Sequence, residues 1–291
     1  MKGRKINIKE INYKYLSDCW IHSERLSKLF DFLTEKQNQQ HVDRLHEKAL
    51  KHALTAYENP MDKVISLVYG LLAERSSGNI KYTAEFIQAL HNKEGFYNFD
   101  SFVKRLEESG IGFESYEKLY QSLQRFNGVG KKTAALLVKT LYQINISRGK
   151  EWELAFWPEN SGYGMKKIAN DDRLYLPVDA VIHNVFFFNN TIQDPVLYKS
   201  ASRSFDTIND FLFTNSSENY PEKMLIWDDI WFWGYITQFS GKNVGVSGRR
   251  IASKEEAFNR EKYWANPYTA KTNDEIKDIE RACREFIEIV G

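Results

Sequence analysis

The sequence predicts an all-α protein, and three observations support that class. Apolar residues recur at intervals of three and four in segment after segment, which is the pattern of amphipathic helices. The chain of 291 residues is 42% hydrophobic and 14% aromatic, enough to build a sizeable core. No pair of alternating apolar and polar runs joined by a turn such as Asn-Gly, the usual sign of a β-hairpin, stands out.

The amino-terminal part of the chain is predicted to be helical. In residues 15–36 the apolar side chains at helical spacing are Leu16, Cys19, Trp20, Leu26, Phe30 and Leu33. A break at Asn59-Pro60 precedes an apolar helix over 61–79 that ends in Ser-Ser-Gly-Asn, a typical stop signal. Further amphipathic helices are predicted over 82–93 and 99–110.

Two predicted helices flank a short glycine-containing turn. In the first, over 114–126, the apolar face consists of Leu119, Tyr120, Leu123 and Phe126. In the second, one stripe consists of Ala134, Leu137, Val138 and Leu141. Between residues 145 and 176 the periodicity fails, which predicts a long loop with a short helix or hairpin inside it.

Helical spacing returns in the rest of the chain, over 178–188, 204–214, 222–236 and 274–290. We therefore expect four regions along the sequence. They are amino-terminal helices that pack with the carboxyl-terminal region (1–58), a helical lobe that ends in the hairpin (59–144), an irregular insertion (145–177) and a carboxyl-terminal helical lobe (178–291).

Composition excludes several classes of protein. Two cysteines, Cys19 and Cys283, can form neither a disulfide framework nor a four-cysteine iron–sulfur site. No apolar run is long enough to span a bilayer, and the amino terminus lacks the pattern of a secretory signal. Three histidines between 41 and 52 are spaced five and six apart, so no metal site is expected. We expect a cytoplasmic protein.

Basic residues are unevenly distributed in a chain whose net charge is +1. Between Lys104 and Lys150 there are nine basic and four acidic residues. Such a stripe fits a phosphate-binding face, although it is also common on solvated helices.

The turn between the two central helices, "FNGVGKK" (126–132), is the most informative stretch. Glycine allows positive φ and a close approach of bare backbone to a ligand. Amides at the start of the following helix can then bind a DNA phosphate without reading base sequence. A simple glycine turn between two core helices is the alternative that this pattern alone leaves open.

Together with "LPVD" (176–179), this stretch resembles the helix-hairpin-helix (HhH-GPD) DNA glycosylase superfamily of base-excision repair, whose hairpin has the form "PGVGRK" with a downstream "VD". The PVD form is most similar to 8-oxoguanine DNA glycosylases with AP-lyase activity, including the archaeal GO type. The resemblance covers residues 60 to 240. Here Asn127 replaces the usual proline, and 47 residues separate Lys132 from Asp179.

The resemblance implies both a fold and a set of site residues. The fold would have two helical lobes with a cleft between them. Lys132 would be the nucleophile and Asp179 the catalytic carboxylate. The groups implied to contact the DNA backbone are Gly128, Val129, Gly130 and Lys131. The groups implied to line the base pocket are Glu74, Asp229 and Trp233.

The chemistry of glycosidic bond cleavage suits Lys132 and Asp179. Positive charge develops on the sugar in the transition state, and a carboxylate such as Asp179 would stabilise it. A helix amino terminus and the adjacent Lys131 would both lower the pKa of Lys132 from its ordinary value of about 10.4, which favours the neutral amine. Attack at C1′ would give a Schiff base and then β-elimination.

The expected function is therefore removal of an oxidised purine from double-stranded DNA by a monomeric bifunctional glycosylase. The purine expected first is 8-oxoguanine. No cofactor is expected to be required, and a monovalent cation at the hairpin is left open. Two alternatives remain: a glycosylase for alkylated or hypermodified bases, and a non-catalytic helix-hairpin-helix DNA-binding protein. Individual residues also have simpler roles open to them, with Asp179 as a helix cap and Trp231 and Trp233 as core.

Overall fold

The computed structural model describes residues 7–38, 62, 66–67, 69–71, 81, 84–86, 88, 115–146, 172–187, 197–216, 221–240, 249–264 and 272–291. Helices predominate in these ranges, which confirms the all-α class at that level. They are α1 (Ile8–Leu16), α2 (Arg25–Asn38), α3 (Tyr116–Leu123), α4 (Lys131–Ile146), α5 (Ala180–Phe187), α6 (Ala201–Asn215), α7 (Pro221–Asp228), α8 (Ile230–Ile236), α9 (Arg260–Trp264) and α10 (Asn273–Val290). None of the helices in the described ranges combines the length and the apolar composition that a bilayer crossing requires.

The chain divides into two compact units. The first consists of Met1–Leu45, Val178–Ser217 and Leu225–Gly291, and the second of His46–Pro177 and Glu218–Met224. The glycine turn at 127–130 and its two helices therefore belong to the second unit, whereas Asp179 belongs to the first.

The carboxyl-terminal helix α10 organises part of the core of the first unit. It begins with a capping box, in which the side chains of Thr272 and Glu275 each accept a hydrogen bond from the other residue's amide. Helix α2 packs against α10. The ring of Phe32 lies 5.8 Å from that of Phe286 and 5.2 Å from that of Trp233, measured between centroids. Amino-terminal and carboxyl-terminal helices thus share one aromatic core.

The predicted helical pattern over 15–36 is interrupted in the structure. A π-helical turn, Ser17–Ile21, follows α1, and Glu24 has a positive φ of 57° before α2 begins. Leu29 and Phe32 are buried although they are not among the apolar positions predicted, and Leu29 lies on the same face of α2 as Leu26 and Leu33. A π turn inserts an extra residue into the helical repeat, which a constant three-and-four spacing cannot anticipate.

The region predicted as one helix over 222–236 forms two helices, α7 and α8, which meet at Asp229. The Asp229 amide donates to the Ile226 carbonyl at 3.1 Å, three residues back instead of four. This tighter turn at Asp229 separates the two helices.

A small antiparallel ribbon is an exception to the all-α class. Strands β1 (Gln238–Ser240) and β2 (Arg249–Ile251) pair with Gln238 opposite Ile251 and Ser240 opposite Arg249. Each strand has three residues, which is too short for apolar and polar alternation to be recognised in the sequence.

In the second unit, α3 and α4 pack against each other through the predicted apolar faces. Leu119, Leu123, Ala134 and Leu137 are all buried, as the spacing predicts. Residues 62, 66–67, 69–71, 84–86 and 88 are helical, in agreement with the helices predicted over 61–79 and 82–93. The helix predicted over 99–110 and the base-pocket candidate Glu74 lie outside the described residues.

The end of the region predicted as an irregular insertion docks onto α3. Asp172 is buried, and its Oδ2 accepts a hydrogen bond from the Tyr116 amide at 2.8 Å. Three residues later, the ring of Tyr175 stacks on that of Tyr120 with a centroid separation of 4.1 Å. The Asp172 carboxylate accepts a hydrogen bond from an amide at the start of α3 that has no partner within the helix. Helix α3 therefore begins next to the segment that precedes Asp179 in the sequence.

Candidate functional site

The turn between α3 and α4 has the backbone that its two glycines predict. Gly128 has φ of 86°, a left-handed value that residues with a Cβ rarely adopt. The Val129 amide donates to the Phe126 carbonyl at 3.1 Å, which closes the turn. Val129 itself is buried, whereas Asn127 and Gly128 are exposed. The turn is therefore anchored by one apolar side chain while its glycine backbone remains at the surface.

Gly130 presents open backbone at the start of α4. It is exposed, and a Cβ built on it meets no heavy atom within 4 Å. Its carbonyl accepts the first helical hydrogen bond, from the Ala134 amide at 2.9 Å. In any α-helix the first amides point outward along the axis, so a ligand that approaches Gly130 meets the positive end of α4.

The two lysines after the turn differ in environment. Lys131 is exposed, whereas Lys132 is partly buried. The roles implied by the resemblance, a contact with the DNA backbone for Lys131 and nucleophilic attack for Lys132, stay predictions. The basic stripe is narrower than its composition suggests, because Lys139 has only 7% of its surface exposed and belongs to the interior of the helix pair.

Asp179 is the amino-terminal cap of α5, and only one of its oxygens is used for capping. Oδ1 accepts hydrogen bonds from the amides of Val181 and Ile182, at 2.8 and 3.1 Å. Oδ2 accepts a hydrogen bond from the indole Nε1–H of Trp231 at 2.9 Å. The cap predicted as an alternative role is thus present, but the carboxylate also has a second, tertiary partner.

Trp231, which the sequence named only as a candidate for the core, belongs to this site. Its ring is partly exposed and stacks on the ring of Tyr235, with centroids 5.0 Å apart and planes 7° apart. On Tyr235, in turn, lies the Lys262 ammonium, 4.9 Å from the ring centroid. The available signal was the spacing of Trp231 and Tyr235, which puts the two rings on one face of a helix.

Close packing of α8 on α5 places Trp231 beside Asp179. A Cβ on Gly234 would lie 2.8 Å from Val181 Cγ1 and 3.2 Å from Val185 Cγ2, so glycine is what permits this approach. The Gln238 side-chain amide adds a hydrogen bond to the Val181 carbonyl at 2.9 Å. The first turn of α5 is therefore held at a short distance from α8.

The expected base pocket of Asp229 and Trp233 is not an accessible surface in the structure. Trp233 has 0% of its surface exposed, and its ring contacts that of Phe32 within the aromatic core. Asp229 is 2% exposed. The two residues do share a helical face, as their spacing predicts, but that face packs into the unit. The expectation that Asp229 and Trp233 line the base pocket is wrong, because both side chains are buried within the unit.

His183 has a structural environment rather than a surface one. It is 0% exposed, its Nδ1 lies 2.7 Å from Ser204 Oγ, and its ring stacks on Phe187. Burial lowers the pKa of His183 to about 4. The buried ring therefore supports the packing of α5 against α6.

The predicted site residues therefore form two described groups, each within its own unit. The glycine turn with Lys131 and Lys132 is one group, and Asp179 with Trp231 is the other. No family model, curated protein or solved structure matches the chain.

Proposed function

We propose that the chain is a DNA glycosylase with AP-lyase activity that excises an oxidised purine, with 8-oxoguanine as the expected base. The observation that carries the proposal is the exposed glycine backbone at Gly128 and Gly130, with φ of 86° at Gly128, which leads directly into Lys131 and Lys132. A turn that served only to connect two core helices would not need open backbone and two ammonium groups at the positive end of a helix.

The turn is proposed to bind a phosphate of the DNA backbone. Exposed backbone at Gly130 lets a phosphate oxygen approach the start of α4, where amides and the helix dipole favour an anion. Lys131, which is exposed, adds a positive charge beside that position. Such contacts position the duplex without selecting a sequence, as a repair enzyme that must survey all sequences requires.

Asp179 and Lys132 are proposed to perform the chemistry on one nucleotide flipped out of the duplex, because the glycosidic carbon is inaccessible within the stack. The Asp179 carboxylate stabilises the positive charge that develops on the sugar as the base departs. The Lys132 amine attacks C1′ and forms a Schiff base, from which β-elimination breaks the strand on the 3′ side. On this proposal the chain has the two-lobed glycosylase fold, and the DNA occupies the cleft of that fold.

The proposed enzyme acts as a monomer in the cytoplasm and needs no cofactor for this reaction. A monovalent cation at the hairpin remains part of the proposal as an aid to phosphate binding, because carbonyl groups of a turn and a phosphate oxygen are both oxygen ligands. The base pocket is left without assigned residues, since Trp233 is buried and Glu74 lies outside the described residues.

The test is a panel of duplexes, each with one modified base: 8-oxoguanine, an alkylated purine, a hypermodified pyrimidine, an abasic site, and an undamaged control. Each is incubated with the protein with and without borohydride. We expect base release, strand cleavage and a trapped covalent complex on the 8-oxoguanine duplex. Release of only an alkylated or hypermodified base would support the glycosylase activity and would assign it a different substrate. Binding to every duplex without release or trapping would identify a non-catalytic DNA-binding protein and overturn the proposal.

A further inference from the structure

We propose that Trp231 is a positioning residue that fixes the orientation of the Asp179 carboxylate, an inference that rests on the proposed function. Its indole N–H donates to Asp179 Oδ2 at 2.9 Å. The two residues lie 52 positions apart in sequence and in different helical elements, so their contact depends on the packing of α8 against the start of α5.

The helix cap by itself leaves the carboxylate incompletely oriented. Both amides at the start of α5, from Val181 and Ile182, donate to the same oxygen, Oδ1. The terminal torsion of an aspartate side chain is broad, because it joins a tetrahedral and a planar carbon. A third donor on Oδ2 removes that remaining freedom, and Trp231 is the residue that supplies it.

Trp231 is itself held in place by a short series of contacts. Its ring stacks in parallel on Tyr235, 5.0 Å away. The Lys262 ammonium lies 4.9 Å from the Tyr235 centroid and donates to the carbonyls of Tyr235 and Gln238. The indole therefore has one preferred plane, in which its N–H points at Asp179.

This arrangement suits a carboxylate that acts as a fixed negative charge. An aspartate carboxylate has about four lone-pair directions, and three N–H donors occupy most of them. Hydrogen bonds to a charged acceptor are among the stronger ones in proteins, and they hold the acceptor's position during the reaction. Preorganised charge of this kind stabilises a cationic transition state without reorienting at the moment of bond cleavage.

The test compares two tryptophans that each use their indole N–H. Trp231→Phe keeps a ring that can stack on Tyr235 and removes the donor to Asp179. The matched control is Trp227→Phe, because Trp227 Nε1 donates to Ser216 Oγ at 3.0 Å elsewhere in the same unit. Single-turnover base release is measured on the 8-oxoguanine duplex, or on whichever panel duplex the wild-type chain cleaves, together with the Kd for that duplex.

We expect Trp231→Phe to slow base release about 10- to 100-fold while the Kd changes less than about threefold. Trp227→Phe is expected to keep the wild-type rate. In an Asp179→Asn background, where the charge is already absent, Trp231→Phe is expected to have no further effect on the rate. This dependence on Asp179 distinguishes positioning from a general structural role.

The outcomes separate the inference from the proposed function. If the wild-type chain releases no base from any duplex, both the proposed function and the role of Trp231 are contradicted. A wild-type chain that releases a base, with Trp231→Phe at the same rate, removes only the role of Trp231. The role of Trp231 is also contradicted if Trp231→Phe and Trp227→Phe slow base release equally. It is contradicted as well if Trp231→Phe slows base release by the same factor in the Asp179→Asn background as in the wild type. If Trp231→Phe does not fold, benzothienylalanine at position 231 replaces the N–H by sulfur in a ring of the same shape, and a wild-type rate for that protein is the contradicting result.

Discussion

The indole of Trp231 donates a hydrogen bond to Oδ2 of Asp179 at 2.9 Å, while Oδ1 of the same carboxylate caps α5. One side chain thus joins a local role in helix capping to a tertiary contact with a distant helix. This division of the two oxygens suggests which measurements separate stability from activity at Asp179.

Asp179→Asn is the first such measurement. The amide retains an oxygen that can cap α5, so the free energy of unfolding is expected to fall by no more than about 1–2 kcal/mol. Base release is expected to slow by two orders of magnitude or more, roughly, because the negative charge is lost. Urea unfolding and single-turnover kinetics check the two effects. A stability loss with an unchanged rate would leave Asp179 as a cap alone.

Lys132→Gln and Lys131→Gln test the nucleophile. We expect Lys132→Gln to abolish the borohydride-trapped complex with little effect on duplex binding, since partly buried Lys132 is the proposed attacking amine. Lys131→Gln should instead weaken binding and reduce its salt dependence, because an exposed charge near a phosphate is removed. Trapping gels and anisotropy titrations at several salt concentrations distinguish the two. Loss of trapping in Lys131→Gln alone would assign the nucleophile to the neighbouring position.

The two glycines of the turn should respond differently to alanine. Gly128→Ala is expected to cost about 1–2 kcal/mol of stability, because φ of 86° is unfavourable for a residue with a Cβ. Gly130→Ala has open space for its methyl group and should change stability by less than about 1 kcal/mol, yet the methyl group stands where a phosphate would approach. We therefore expect Gly130→Ala to weaken DNA binding several-fold at nearly constant Tm. Wild-type affinity in Gly130→Ala would exclude close backbone contact at that residue.

Gly234→Ala tests the close approach of α8 to α5. Helix propensity alone would favour alanine by about 1 kcal/mol, but the new Cβ would lie 2.8 Å from Val181 Cγ1. Overpacking of this kind costs about 1–3 kcal/mol, so a net loss of stability is expected. Gly70→Ala is the control, because Gly70 is helical and a Cβ there meets nothing within 4 Å.

A second substitution makes the Gly234 test specific. Adding Val181→Ala removes the methyl group that clashes, so the double variant should be more stable than the sum of the two single changes by at least about 0.5 kcal/mol. Strictly additive losses, measured by chemical unfolding, would mean that the two residues do not press on each other.

His183 predicts a pH dependence of stability. Its pKa is lowered to about 4 in the folded state from an ordinary value of 6.5. Between these two values the unfolded chain binds a proton that the folded chain does not, so stability is unaffected above about pH 6.5 and falls as pH decreases toward 4. The total loss from this group is on the order of 3 kcal/mol.

The His183 effect is measured by urea unfolding from pH 7.5 to 4.5 in the wild type and in His183→Gln. Glutamine is neutral throughout, so the part of the slope between pH 6.5 and 5 should flatten in the variant. Identical slopes in wild type and His183→Gln would contradict the burial argument.

Local patterns in the sequence were sufficient to predict most of the described helices and the central turn. Residues three and four apart meet on one helical face whatever the rest of the chain does, so the buried faces of α3 and α4 follow from spacing. Positive φ at Gly128 follows from the scarcity of other residues that adopt it. Spacing was not sufficient where the helical repeat changes, as at the π turn Ser17–Ile21, or where a strand has three residues.

Only the tertiary structure decided which tryptophan of α8 is buried and which lies beside Asp179. On a helix, positions 231 and 233 point about 200° apart, so the two side chains face nearly opposite directions. The sequence by itself determined that Asp229 and Trp233 share one face and that Trp231 and Tyr235 share another. It did not determine which face packs against Phe32 and which contacts Asp179, because both faces are aromatic. Local periodicity contains no information about contacts with residues about 50 or 200 positions away. That choice was made by the packing of α8 against α2 and α5, where Gly234 allows the close approach that brings Trp231 to the carboxylate.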